Sequence, residues 1–362
     1  MLERFHVPEA DQIRVPPEAL RATVERIFMA VGVPEEDARQ GADVLVYADL
    51  RGVETHGVSN MLRVYVQQYR TGQLNPTPEL HYVIESPSGL VIDGDRGLGL
   101  IQCPKVMRLV IEKAREQGVA TASIRNLGHT GPIGYHAMLA AQQDMVGLSM
   151  TASGSQVLPA LAAEPRMGTN PIAVAAPAGE RPWLLFDAAM SAIASNKIRI
   201  ARRLGVPLHP GWVASWTGTP IMEETPVPED GDFHQLPLGS TRELGAHKGF
   251  GLALMVEVLA TLLSGSVPRM LDPEVGSRHF LAAFDIAAFT DVERFKQTMD
   301  DMLGMLLETK PAPGAERVIY PGVAEAETLA ERSKNGIPYH REVIEWFDQV
   351  TAELNIERLE RL

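Results

Sequence analysis

Near the start of the chain apolar side chains recur at helical spacing, and ALRATVERIFMAVG, ARQGADVLVYADLRG and SNMLRVYVQQYRTG predict three helices. Pro16, Pro17 and Glu18 precede the first, and Pro34 to Asp37 precede the second. Proline and acidic residues suit those positions, where backbone N–H groups lack partners and the helix dipole is positive. Leu62, Val66 and Tyr69 share one face of the third helix. From Tyr82 the period shortens, and YVIES and GLVID predict strands around the turn Pro87-Ser88-Gly89. A helix is expected from near Pro104 to Gly118, burying Val106, Leu109 and Val110, followed by the strand VATASI. The alternation continues with a helix in YHAMLAAQQD, strands in MVGLSMTAS, PIAVAAP and PWLLFD, and a helix in IASNKIRIARRLG. This is an α/β pattern.

The later chain returns to helices. GAHKGFGLALMVEVLATLLSG is the strongest late signal, with Leu252, Met255 and Leu259 expected on its buried face. HFLAAFDIAAF reads as a strand. DVERFKQTMDDMLGMLLE reads as a helix offering Phe295, Met299, Met302 and Leu306 for packing. The C-terminal stretch also reads as helical, with Trp346, Val350, Leu354 and Ile356 docking either on the fold or on a second copy.

Composition narrows the function classes. Among 362 residues, 45% hydrophobic side chains supply a large core, and 46 acidic against 33 basic residues give a net charge of −13. That field opposes a broad nucleic-acid or polybasic membrane surface, while leaving room for a small anion in a local basic pocket. The one cysteine, Cys103, excludes an internal disulfide framework and fits a reducing compartment. The beginning MLERFHVPEA has no signal-peptide character, and no apolar run is long enough to span a bilayer, so a soluble, cytoplasmic protein is expected.

Neither Gly97-Leu98-Gly99 nor Gly128, Gly131 and Gly134 completes the GxGxxG dinucleotide fingerprint, and no GxxxxGK[ST] loop is present. No HExxH, compact facial triad or calcium loop points to a metal. Two histidine turns stand out. RGVETHG brings Arg51, Thr55 and His56 together after a helix: a guanidinium can pair with a carboxylate, and an imidazole can take a proton from an alcohol or return one to a ketone. NLGHTG places His129 between a strand and a helix. A helix-capping, hydrogen-bonded turn accounts for either spacing equally well. Thr169 and Asn170, Asp187, Lys197 and Lys248 are further polar candidates whose pairing depends on proximity in space.

Taken in order, RGVETHG, RNLGHTGPIGYHAMLAA, GTNPIAVAAP, FDAAMSAIASNKI, PGW and GAHKGFGLALMVEVL resemble the type-2 malate/L-lactate dehydrogenase family, which includes ureidoglycolate, diketogulonate and cyclic-imine reducing enzymes. The resemblance covers most of the chain. It implies an α/β fold in which a non-Rossmann nucleotide-binding domain with a mixed sheet joins a largely helical domain. Here that means a helical domain over residues 1–80 completed by 310–362, an α/β domain over 81–309 and a catalytic cleft between them. It further implies NAD or NADP as cofactor, a small carboxylate substrate and a homodimer. In this resemblance His56 is the catalytic acid/base and Asp187 supports its imidazole. Arg51, Thr55, His129 and Thr169 lie on the substrate side. His129, Thr151, Ser153, Thr169, Asn170, Asp187, Ser191, Lys197, His247, Lys248 and Gly249 fall in the cofactor-side segments. The expected reaction interconverts a small 2-hydroxy carboxylate and its 2-keto acid. Reduction of a cyclic imino acid is the alternative, and a catalytically silent nucleotide-binding scaffold is the non-enzymatic one.

Overall fold

In the computed structural model, which describes residues 3–362, the chain opens with a short strand, β1 (Gln12–Val15), and three helices: α1 (Pro17–Ala30), α2 (Glu35–Leu50) and α3 (Val58–Arg70). Pro17 sits in the first turn of α1, and Glu35, Glu36 and Asp37 fill the first turn of α2, as their backbone preferences require. Leu20, Ile27, Phe28, Leu45, Leu62 and Tyr65 are buried in one core. Each large apolar side chain removed from water there contributes about 2 kcal/mol.

The sheet begins with β2 (His81–Glu85) and β3 (Gly89–Asp93). Next comes α4 (Gly99–Gln117), which starts ahead of the expected Pro104 and carries that proline inside it. The only backbone bond forfeited is the one to the carbonyl of Leu100, so the helix tolerates it close to its start. Then follow β4 (Val119–Leu127), α5 (Ile133–Ala141), β5 (Met145–Ala152), β6 (Ile172–Ala176), β7 (Leu184–Ala188), α6 (Ser195–Leu204) and the small hairpin β8 (Val213–Ser215) with β9 (Phe233–Gln235). The remainder is α7 (Ala246–Val256), continued by a π-helical turn at Glu257–Leu262, β10 (Ser277–Asp285), α8 (Val292–Leu307), α9 (Val323–Asn335), β11 (Ile337–His340) and α10 (Arg341–Glu353).

Seven strands form one mixed sheet in the order β2-β3-β4-β10-β5-β6-β7. Only β3 and β4, joined through α4, run parallel. The central strand β10 is covered on both faces: Leu281 and Ala283 pack with α4, while Phe280 and Ala282 pack with Val256 and Ala260 of the α7 segment. Alternating side chains on a pleated strand produce that division. β11 pairs antiparallel with β1, tying the two ends of the chain together. Both strands are four residues long and depend on a partner more than 300 positions away, so local periodicity missed them. Val350 of α10 is buried and Trp346, Leu354 and Ile356 pack against the same core as the N-terminal helices, so this helix docks on its own fold.

Two helical faces differ from expectation. On α7 the inward residues are Ala246, Gly249, Ala253 and Val256, while Leu252 and Met255 are exposed. Small side chains let this helix approach the sheet closely, and any Cβ on Gly249 would lie 2.3 Å from the carbonyl oxygen of Leu238. On α8, Met299 and Leu303 are buried, whereas Met302 and Leu306 face outward. Among the described residues no helix is long and apolar enough to cross a membrane.

Candidate active site

The turn carrying Arg51 to Gly57 is pinned from below. Asp49, at the end of α2, accepts from the Val58 N–H at 2.8 Å and from the Tyr339 hydroxyl. Burial raises its carboxyl to about 7. Arg332 of α9 donates to the Asp49 carbonyl and to the Glu54 carboxylate, both at 2.6 Å, closing a buried ion pair. Gly57 is required by this packing, because a Cβ there would lie 1.8 Å from Asp49 Oδ1. Above it, Asn196 at the start of α6 donates to the Thr55 carbonyl at 2.6 Å. Segments distant in sequence therefore set the position of His56.

His56 and His129 come together with their rings stacked, centroids 5.4 Å apart and planes 8° from parallel. His56 Nδ1 meets the Thr55 hydroxyl at 2.9 Å. His129 Nδ1 meets the Tyr65 hydroxyl at 2.6 Å and accepts from the Gly131 N–H at 3.1 Å. Desolvation lowers the His56 pKa to about 4. Desolvation, followed by the neighbouring His56, lowers that of His129 to about 3. Both imidazoles are therefore neutral at pH 7.

These rings line a cleft of about 390 Å³ together with Thr55, Ser153, Thr169 and Asp187. The Ser153 and Thr169 hydroxyls lie 3.4 Å apart, and Gln68 Oε1 is buried in the same wall without a hydrogen-bond partner among the described residues. Asp187 faces the cleft with its side chain exposed to solvent there, and the surrounding protein raises its carboxyl from the ordinary aspartate range to about 6. The expected bond from Asp187 to the His56 imidazole is absent. Asp187 instead accepts from the Gly134 N–H at 2.7 Å, at the start of α5, and His56 Nδ1 meets the Thr55 hydroxyl.

A second cavity of about 540 Å³ adjoins the first, and Val53, Thr55 and Asp187 line both. Arg51 and Lys197 belong to this cavity. Arg51 lies over the Tyr47 ring at 4.5 Å, and its Nε is buried without a partner among the described residues. Lys197 lies 5.3 Å from the Phe5 ring centroid, and desolvation lowers its pKa. Neither cation forms an ion pair among the described residues, although the carboxylates of Glu54, Asp187 and Glu325 line the same cavity.

Other expected residues serve behind the walls. Thr151 is buried between Thr130 and His279. Asn170 is fully buried, accepting from the Ser153 N–H and donating to the Ala253 carbonyl and Glu257. The Ser191 hydroxyl bonds to the Ile193 carbonyl. These three shape the site without lining the cleft. His247 and Lys248 are exposed at the start of α7 and line neither cavity, and Gly249 serves the close approach of that helix to Leu238. Sequence reasoning overlooked Tyr65, Gln68, Asn196 and Arg332. Tyr65 shares the apolar stripe of α3 and reads as core, while the bonds of Asn196 and Arg332 span more than 130 positions.

The description "Malate/L-lactate dehydrogenase" fits a family model matching residues 15–348 of the chain. The chain belongs to the malate/L-lactate dehydrogenase family. As a member of this dehydrogenase family it is an oxidoreductase acting on CH–OH groups. It is 39% identical to a malate dehydrogenase of Pyrococcus horikoshii, over 99% of this chain and 100% of that protein. Among solved structures it resembles malate dehydrogenase from Entamoeba histolytica, with a TM-score of 0.91, 30% identity and coverage of 96% and 99% of the two chains. It also resembles delta1-piperideine-2-carboxylate reductase from Pseudomonas syringae, with a TM-score of 0.79, 27% identity and coverage of 93% and 99%. Membership accounts for the missing GxGxxG fingerprint and implies a nicotinamide cofactor.

Proposed function

We propose that the protein interconverts a small 2-hydroxy carboxylate and its 2-keto acid, with NAD or NADP as the redox partner. The observation that carries this reading is a neutral histidine pair on the wall of a cleft whose adjoining cavity holds Arg51 and Lys197, neither ion-paired among the described residues. The donor set suits a nicotinamide: Ser153 and Thr169 offer hydroxyls, and the partnerless Gln68 Oε1 offers an acceptor for an amide. Thr151 and Asn170 support those segments from behind. When bound, the nicotinamide supplies the acceptor or donor for a hydride.

His56 carries the proton. Neutral at pH 7, it accepts the substrate hydroxyl proton while C2 loses hydride, and in reduction it returns a proton to the carbonyl oxygen. Its depressed pKa makes the protonated form a ready donor. Arg51, reached from the adjoining cavity, pairs with the carboxylate, and Lys197 adds positive charge on that side. Thr55 and Asp187, common to both cavities, separate the anion-binding end from the reacting end.

The likeness to the Pseudomonas syringae reductase favours a second reading, reduction of a cyclic imino acid, since the same proton placement serves C=N. The purified protein is assayed with each reduced nucleotide against pyruvate, oxaloacetate and cyclic imines. Turnover of a keto acid is expected, and turnover of imines alone overturns the hydroxy-acid assignment.

We further propose a homodimer. Leu252, Met255, Val258, Leu262 and Leu263 form an exposed apolar surface along the α7 segment, a surface that association with a second copy removes from water. Sedimentation velocity is expected to show a dimer that Leu262→Asp dissociates; a monomeric parent protein at micromolar concentration contradicts the proposal.

A further inference from the structure

The backbone carbonyls of Gly128, His129 and Thr130, the three residues of the turn that presents His129, each meet a hydrogen-bonding partner. The carbonyl of Gly128 meets Nε2 of His279 at 3.2 Å, that of His129 accepts from the Leu100 N–H at 2.9 Å, and that of Thr130 meets Nε2 of His136 at 3.1 Å. His136 and His279 are both fully buried. The Thr130 hydroxyl meets Thr151 at 3.1 Å, and Thr151 meets His279 Nδ1 at 3.0 Å. Two buried imidazoles and a hydroxyl pair thus clamp the three residues around His129, and the Gly131 amide that follows is held with them.

This rigidity has a chemical consequence. A hydroxyl can rotate to donate or accept, but a backbone N–H can only donate. The Gly131 N–H points at His129 Nδ1 at 3.1 Å, so Nδ1 carries a lone pair rather than a proton. A proton there would oppose the amide hydrogen. The Tyr65 hydroxyl, 2.6 Å from the same nitrogen, is then the donor of its hydrogen bond. Tyr65 is fully buried, on a helix face packed in the N-terminal core, so its hydroxyl is delivered to one place. The remaining proton of the neutral ring lies on Nε2, which has no partner among the described residues, on a ring that lines the cleft.

We propose that Tyr65 is a positioning residue which, together with the Gly131 amide, locks His129 as the Nε2–H tautomer, so that His129 serves as a fixed hydrogen-bond donor to the substrate oxygen. His56 is not locked in this way, because its Nδ1 partner is the rotatable hydroxyl of Thr55. The two stacked histidines thereby divide the work: one donates a hydrogen bond, and the other exchanges the proton. This division rests on the cleft being the reaction site, whereas the tautomer itself does not.

The test uses the full-length, ligand-free protein labelled with ¹⁵N-histidine, with the His129 resonances assigned by their loss in His129→Gln. The expected spectrum has a non-protonated Nδ1 and a protonated Nε2 at neutral pH. Tyr65→Phe is expected to move the Nδ1 resonance toward that of an imidazole nitrogen with one fewer donor, leaving Nε2 protonated. A proton on Nδ1 in the parent protein overturns the lock, and an unmoved Nδ1 resonance in Tyr65→Phe removes Tyr65 from it. These readouts need no substrate, so they decide the lock even if the proposed reaction is wrong. With a turned-over substrate, Tyr65→Phe is expected to lower kcat about tenfold at nearly constant KM, as for a group that aligns a reacting partner. An unchanged kcat overturns the catalytic use of the lock.

Discussion

The two histidine turns of this molecule contain similar residues and hold their imidazoles differently. In Thr55-His56 the partner of Nδ1 is a side-chain hydroxyl; in His129-Thr130-Gly131 it is a backbone amide joined by a buried tyrosine. Both rings are desolvated and both pKa values are depressed, to about 4 and about 3. What separates them is whether the partner can reverse its role. A rotatable hydroxyl follows a proton onto and off the ring, while a fixed N–H forbids one protonation state. Equal burial therefore does not mean equal chemistry.

The largest expected effect breaks the pair apart. His56→Ala removes the proton carrier and is expected to lower kcat about a thousandfold, whereas His129→Ala removes one donor and costs about a hundredfold. Steady-state kinetics on the folded variants checks the order, and equal or inverted losses would end the proposed division of roles.

A smaller effect is read from pH. The surrounding protein raises the Asp187 carboxyl from the ordinary aspartate range to about 6, so it is protonated below that pH and ionised above it. The histidines, held down to about 4 and 3, do not titrate in that window. His56 and Asp187 line one cleft, where an ionised Asp187 favours the imidazolium that forms on His56 during oxidation, so kcat/KM is expected to fall to a lower plateau as pH drops through 6. In Asp187→Asn this limb is expected to disappear. A limb near 6 that persists in the variant belongs to another group and removes Asp187 from the pH response.

Much of this was legible along the chain. The helices α1, α2 and α3 and strands β2 to β7 lie where their periods place them, because each carries an apolar face whose spacing is local. His56, His129, Ser153, Thr169 and Asp187 line one cleft, a grouping that the family resemblance implied and that the spacing of their turns left open. The small inward face of α7 was not legible: with apolar residues on every side, its orientation is decided by how closely the helix approaches the sheet. The partner of Asp187 was not legible either. A carboxylate near a histidine invites an ion pair, but the Gly134 amide at the helix start lies within hydrogen-bond reach and takes the bond.

The sequence by itself determined the family, the α/β plan and the chemical types at the site, since these rest on residue identity and short-range order. Only the tertiary structure decided that Arg51 and Lys197 belong to a cavity beside the histidines, that Arg332 ties α9 to the His56 turn, and that Tyr65 reaches His129. Those outcomes depend on directions and distances between remote segments. Hydrogen bonds are selected by a few tenths of an ångström and by which group is free to turn, and one-dimensional spacing carries neither.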